Sequence, residues 1–150
     1  WIYLKMTNTV EPTAECHEFI WPVRIYYEDT DVGGVVYYAN YLKFMERART
    51  EWLRQLGIDQ TQLKQQEKLI FVVRQLTINY LKPALFDDLL HVTISLTQLG
   101  KVSLTITQKI TRQTAVLCTA TCKIACVDAL NLRPQPFPPD TLKEFLKVKN

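Results

Sequence analysis

An acid-rich turn beside a pair of adjacent glycines could do carbonyl chemistry in this chain. It lies in Tyr26-Tyr27-Glu28-Asp29-Thr30-Asp31-Val32-Gly33-Gly34-Val35-Val36-Tyr37-Tyr38-Ala39-Asn40-Tyr41. An aspartate here can attack a carbonyl carbon, or take a proton from water that does so. Gly33-Gly34 opens backbone angles closed to other residues and lets a ligand approach the main chain. A helix starting after the turn would aim its unpaired N–H groups back at it. Donors on a carbonyl oxygen and a carboxylate at its carbon would then share one small volume.

The flanking elements must hold that volume. Val23-Arg24-Ile25-Tyr26-Tyr27 is β-branched and aromatic, so a strand is expected near Pro22–Glu28. Tyr41, Met45, Ala48, Trp52 and Leu56 recur at helical spacing, which predicts a helix from Asn40 to Leu56. Asn40 is the expected N-cap, and Gly57 is placed to end the helix. A short helical piece is expected near Asp59–Gln66. Four strand-like runs follow: Leu69–Leu81, Leu89–Leu99, Val102–Thr111 and Ala115–Val127, parted by turn signals at Pro83, Gly100-Lys101 and Arg112-Gln113-Thr114. They read as an antiparallel meander. The proline-rich run Arg133–Pro139 must be extended, and Asp140 is expected to cap a last helix, Thr141–Val148. The long helix is apolar around much of its circumference and should be buried. The fold class is therefore α+β, an antiparallel sheet wrapped around one long helix.

The chain's 150 residues suit one domain. A partly ordered arm is expected over residues 1–20 and the domain over 21–150, with Met6 the expected natural start. A net charge of +3 is too mild and scattered to argue for nucleic acid. No run of about 18 apolar residues offers a membrane span. Cys118, Cys122 and Cys126 fall four apart along one predicted strand, so they share a face. About 13 Å of strand separates neighbours, too far for a disulfide. Neither they nor Cys16 has the partners of a zinc site. They read as free core thiols, which suggests a reducing, cytoplasmic setting. The four glycines exclude GxSxG, GxGxxG and P-loop motifs, and with them serine-triad, dinucleotide and nucleotide-phosphate sites.

With these elements in order, the chain resembles the hotdog-fold acyl-CoA thioesterases, most closely the Tol–Pal-associated branch of the 4-hydroxybenzoyl-CoA thioesterase family. The resemblance covers about residues 20–147. It is carried by Val23 through Tyr37, by Glu46-Arg47-Ala48-Arg49-Thr50-Glu51, and by Tyr80-Leu81-Lys82-Pro83-Ala84 with Asp87-Asp88. It implies hydrolysis of an acyl-CoA, or an acyl-carrier-protein thioester, to free acid and thiol. The family's catalytic aspartate falls on Asp31 and its preceding tyrosine on Tyr27. Tyr38 stands where this branch usually carries histidine, and its backbone N–H would meet the thioester oxygen. Gly33, Gly34 and Asn40 are the expected substrate-binding positions. Arg74 is the candidate for the coenzyme phosphates, with Lys82, Lys101 and Arg112 as further basic options. Glu46, a helix glutamate used in another branch, is expected to be structural here. No metal or redox cofactor is implied, coenzyme A being part of the substrate. The resemblance further implies a homodimer or homotetramer with a shared site. It suggests links to acyl-carrier protein or phospholipid-synthesis enzymes and a peripheral place at the inner membrane. The competing reading is a non-catalytic acyl-CoA-binding protein of envelope or phospholipid-synthesis complexes.

Overall fold

The structure, a computed structural model, describes residues 17–150. Most of the expected N-terminal arm, with Cys16, lies outside the described residues. Strand β1 spans Phe19–Arg24, so it takes in the last two residues assigned to that arm. Helix α1 spans Asn40–Gln55. A turn of α-helix, Gln60–Gln62, runs on into a π-helical turn, Leu63–Glu67. Strands β2 (Leu69–Tyr80), β3 (Leu89–Leu99), β4 (Ser103–Arg112) and β5 (Ala115–Asp128) follow, then a C-terminal helix, Pro139–Val148.

Local signals explain most of these boundaries. Gly57 has φ +77°, its N–H donates to Arg54 O, and Ile58 N–H donates to Leu53 O. This closes α1 with a left-handed Gly, leaving few carbonyls unpaired. Asp59 caps the short turn by accepting from Gln62 N–H at 3.0 Å. Two expected caps are corrected. Asn40 is the first helical residue, and Ala39 occupies the cap with no side-chain bond. Asp140 lies inside the last helix behind Pro138 and Pro139, whose fixed φ preorganises the first turn.

The meander also needs correction. The sheet is wholly antiparallel with order β1-β3-β4-β5-β2. Only β3, β4 and β5 meander. β2 skips β3 and lies beside β5, with Leu69 opposite Asp128 and Tyr80 opposite Cys118. β1 closes the other end on β3. The hydrophobic pattern of β2 told that it was a strand but not which neighbour it would take.

One face of the sheet packs on α1. Tyr41, Phe44, Met45, Ala48, Trp52 and Leu53 of the helix are buried against alternate residues of the strands, among them Leu90, Val92, Ile106, Ile110 and Leu117. Burying one such large apolar side chain stabilises by about 1.5–3 kcal/mol. Cys118, Cys122 and Cys126 are free thiols on that same face. Burial pushes Cys118 and Cys126 up to about 11, keeping them protonated and unreactive. Gln108 is the polar exception. It is fully buried, yet accepts from Arg49 Nη1 at 3.0 Å and donates to Met45 O at 3.2 Å. The outer edges of β1 and β2 carry no ladder among the described residues. β1 has Pro22 on its edge, a usual guard against further pairing. β2 is twelve residues long, with no proline and a register shift between Val73 and Gln75.

Candidate active site

The expected strand stops early, at Arg24, and a 3₁₀ turn covers Tyr27–Asp29. The correction has a local cause. Asp29 Oδ2 accepts from Tyr26 N–H at 2.8 Å, and Asp29 N–H donates to Tyr26 O at 3.0 Å. These bonds bend the chain before a ladder can extend through Tyr27. Asp29 thus holds the turn.

Asp31 follows in an exposed loop. Its Oδ1 accepts from Gly33 N–H at 2.8 Å, and its carbonyl accepts from Gly34 N–H at 3.0 Å. Its own N–H donates to Val35 O at 2.9 Å. Gly34 has φ +77°, a conformation unfavourable for residues with a Cβ. At Gly33 the constraint is space: an added Cβ would stand 3.2 Å from Asp31 Oδ1. Each glycine therefore serves the carboxylate differently, one by backbone shape and one by clearance.

Beyond the glycines the chain returns to the helix. Tyr37 N–H donates to Asp29 O, and Asn40 N–H donates to Tyr37 O, both at 2.9 Å. The Asn40 carboxamide also donates to Asp29 O at 2.9 Å. Turn and helix start are thus tied through one carbonyl. Between them, Tyr38 N–H donates to no acceptor among the described residues, while its carbonyl accepts from Tyr80 Oη at 2.9 Å. An unpaired backbone donor at a helix start is chemically suited to a developing oxyanion.

Aromatic rings wall this region. Tyr27 is 76% exposed and stacks on Phe86 with centroids 3.8 Å apart and planes 7° apart. Tyr38 meets Tyr37 and Tyr80 edge-on, and Tyr80 meets Tyr41. The neighbouring Tyr38 phenol pushes the Tyr37 hydroxyl above its ordinary value, and burial does the same for Tyr80. Both stay protonated donors at neutral pH. Sequence reasoning assigned no role to Phe86 or Tyr80. Tyr80 lay in a quoted motif, which was the available signal.

The remaining candidates separate from the turn. Arg74 is exposed at the β2 irregularity, six residues from Tyr80, or about 20 Å along a strand. Arg112 is tied down, with Nη1 2.6 Å from Asp88 Oδ2 and 3.3 Å from Pro83 O. It braces the Pro83–Asp88 loop that carries Phe86. Glu46 accepts from Thr50 Oγ1 at 2.7 Å. Both line a cavity of about 130 Å³ between α1 and β2, with Arg49, Leu53, Phe71 and Phe145.

A wholly antiparallel sheet on one long helix is the hotdog fold. A family model described as the thioesterase-like superfamily matches residues 26–145, and the chain belongs to that family. It is 45% identical over 131 residues to the acyl-CoA thioesterase YbgC of Haemophilus influenzae, covering 87% of this chain and 96% of that protein. A probable thioesterase from Bartonella henselae superposes with TM-score 0.77 at 37% identity, over 81% of this chain and 99% of that one. A 1,4-dihydroxy-2-naphthoyl-CoA thioesterase from Synechocystis, at 20% identity, shares the fold with TM-score 0.80, over 87% of this chain and 97% of that one. The reaction class implied by the sequence, thioester hydrolysis, agrees with these relatives. Among the described residues no helix is long and apolar enough to cross a membrane.

Proposed function

We propose that this chain hydrolyses acyl-CoA thioesters, with Asp31 as nucleophile or general base and Tyr38 N–H as donor to the thioester oxygen. As nucleophile, a carboxylate oxygen attacks the carbonyl carbon, the C–S bond breaks, and the thiolate leaves and takes a proton from solvent. Water then opens the acyl–aspartyl anhydride. As base, Asp31 takes the proton of the attacking water and passes it to the leaving thiolate. Neither route calls for a metal or redox cofactor. Acyl-carrier-protein thioesters enter by the same chemistry.

The observation that carries this reading is the tie through Asp29 O, which joins the Asp31 turn to the helix start where Tyr38 N–H is unpaired. One oxyanion donor is worth about 3–4 kcal/mol to a transition state. Tyr27, stacked on Phe86, walls the turn, and Gly33 and Gly34 shape the loop. The single domain assigned to residues 21–150 takes in Phe19 and Ile20 as well, through β1. A homodimer or homotetramer would cover the exposed rings and the open β2 edge, and would bring Arg74 of a second copy within reach of the coenzyme. Work in the cytoplasm beside Tol–Pal and phospholipid-synthesis proteins, at the inner-membrane surface, fits this lipid-metabolic reading.

The deciding experiment is thiol release from short, long and aromatic acyl-CoAs by the unaltered protein and by Asp31→Asn. Asparagine keeps the shape and is a poor nucleophile and base, so turnover should drop by at least about 10²-fold with binding retained. Near-normal hydrolysis by folded Asp31→Asn would remove Asp31 from the mechanism and make Glu46 the next residue to change. Binding without thiol release by the unaltered protein would favour the acyl-CoA-binding reading.

A further inference from the structure

We propose that Asn40 is a positioning residue that sets the acid against the oxyanion donor. The inference rests on the assignment of Asp31 and Tyr38 above. Asn40 is one of the few buried polar residues, at 9% exposure, and it makes two bonds from the first position of α1. Its backbone N–H holds Tyr37 O, and so the peptide group whose N–H belongs to Tyr38. Its carboxamide holds Asp29 O, two residues before Asp31, across a separation of eleven residues. One residue on a rigid helix therefore grips both arms of the loop, the Tyr38 arm through its backbone N–H and the acid arm through its carboxamide.

The Asp29 carbonyl has a second donor, Tyr37 N–H. Loss of the carboxamide leaves that oxygen paired, so the loop should remain folded while its placement relaxes. Helix initiation does not explain the residue, because Asn40 stands one position inside the cap. Positioning does, since a misplacement of about 1 Å can cost 10²-fold in rate.

The test is Asn40→Asp, which keeps the shape but replaces the donor with an acceptor facing a carbonyl. Asn40→Ala, which adds no charge, is the parallel variant if the aspartate disturbs folding. Each is made alone and together with Asp31→Asn, and folding is checked by circular dichroism. Alone, kcat should fall by about 10²-fold while KM stays within about threefold. In the Asp31→Asn background the further loss should shrink to less than about threefold, because misplacing an absent carboxylate costs little. A merely structural role would cut both backgrounds by the same factor. Equal factors, an unchanged kcat, or a rise in KM alone would overturn the assignment of Asn40. Near-normal hydrolysis by Asp31→Asn would instead sink the reading of Asp31.

Discussion

The acid turn and the helix–sheet interior are rigid for opposite reasons. The turn, residues 26–39, is mostly exposed, and its shape comes from hydrogen bonds among its own backbone, two aspartates and Asn40. The interior is apolar, and its shape comes from packing, with Gln108 and Arg49 the main polar intrusion. Hydrogen bonds fix direction, which a reacting carboxylate needs. Packing fixes distance between layers without exposing a reactive group. The three thiols illustrate this, since burial pushes their pKa up and keeps them protonated.

The comparison predicts that stability and activity come apart by region. The largest effect belongs to the interior. Phe145 is fully buried and packs on Trp52, Phe71 and Phe137. Phe145→Ala should lose about 3–5 kcal/mol in urea unfolding, with kcat kept wherever the protein remains folded. A large fall in kcat without a stability loss would erase the contrast.

Next come the thiols. Each unfolded thiol gives up its proton near its ordinary value of 9.0, whereas folded Cys118 and Cys126 hold theirs to about 11. The unfolded state therefore binds fewer protons in between, and stability falls as pH rises through that window. The loss is about 2–3 kcal/mol per thiol. Urea midpoints from pH 8 to 11 should show the decline, and Cys118→Ala with Cys126→Ala should flatten it. An unchanged slope in the double variant would mean the thiols are not its source.

Smaller effects should separate the glycines. Gly34→Ala forces a side chain into a left-handed backbone with open space around it, which costs about 1–2 kcal/mol of stability. Gly33→Ala presses on Asp31 Oδ1 instead, so it should lower kcat more than stability. The reverse pattern in melting and rate assays would contradict the division between shape and clearance. The smallest change is Tyr80→Phe, which deletes one hydrogen bond to Tyr38 O, worth about 0.5–1.5 kcal/mol. Its signature should be a modest loss in kcat with a fall in melting temperature of only a few degrees.

Much of this division was legible in the sequence. Helical spacing from Tyr41 onward placed α1 within a residue, and Gly57 marked its end. The acid turn was visible because glycines and aspartates are unusual between two apolar runs. Strand order was not legible. Alternation in Leu69–Tyr80 reports which face is buried, and says nothing about whether β3 or β5 supplies the hydrogen bonds. Asn40 was misread as a cap because its chemistry suits both a cap and a long-range donor; only the position of Asp29 O decides. Gln108 escaped notice because its partners, Arg49 and Met45 O, belong to a helix about sixty residues away.

The bond from Gly33 N–H to one oxygen of Asp31 makes the two oxygens of a symmetric group distinguishable. In the proposed mechanism Oδ2, which accepts no hydrogen bond among the described residues, is the oxygen offered to the substrate. That asymmetry has an isotopic consequence. In one turnover in heavy-oxygen water, a base mechanism puts the label only in the released acid. An anhydride opened at the aspartyl carbon leaves the label on the protein and sends Oδ2 out with the product. While Gly33 holds its grip, Oδ1 never leaves, and repeated turnovers exchange a single oxygen of Asp31. The mass of the peptide containing Asp31 would then rise by one oxygen label and stop.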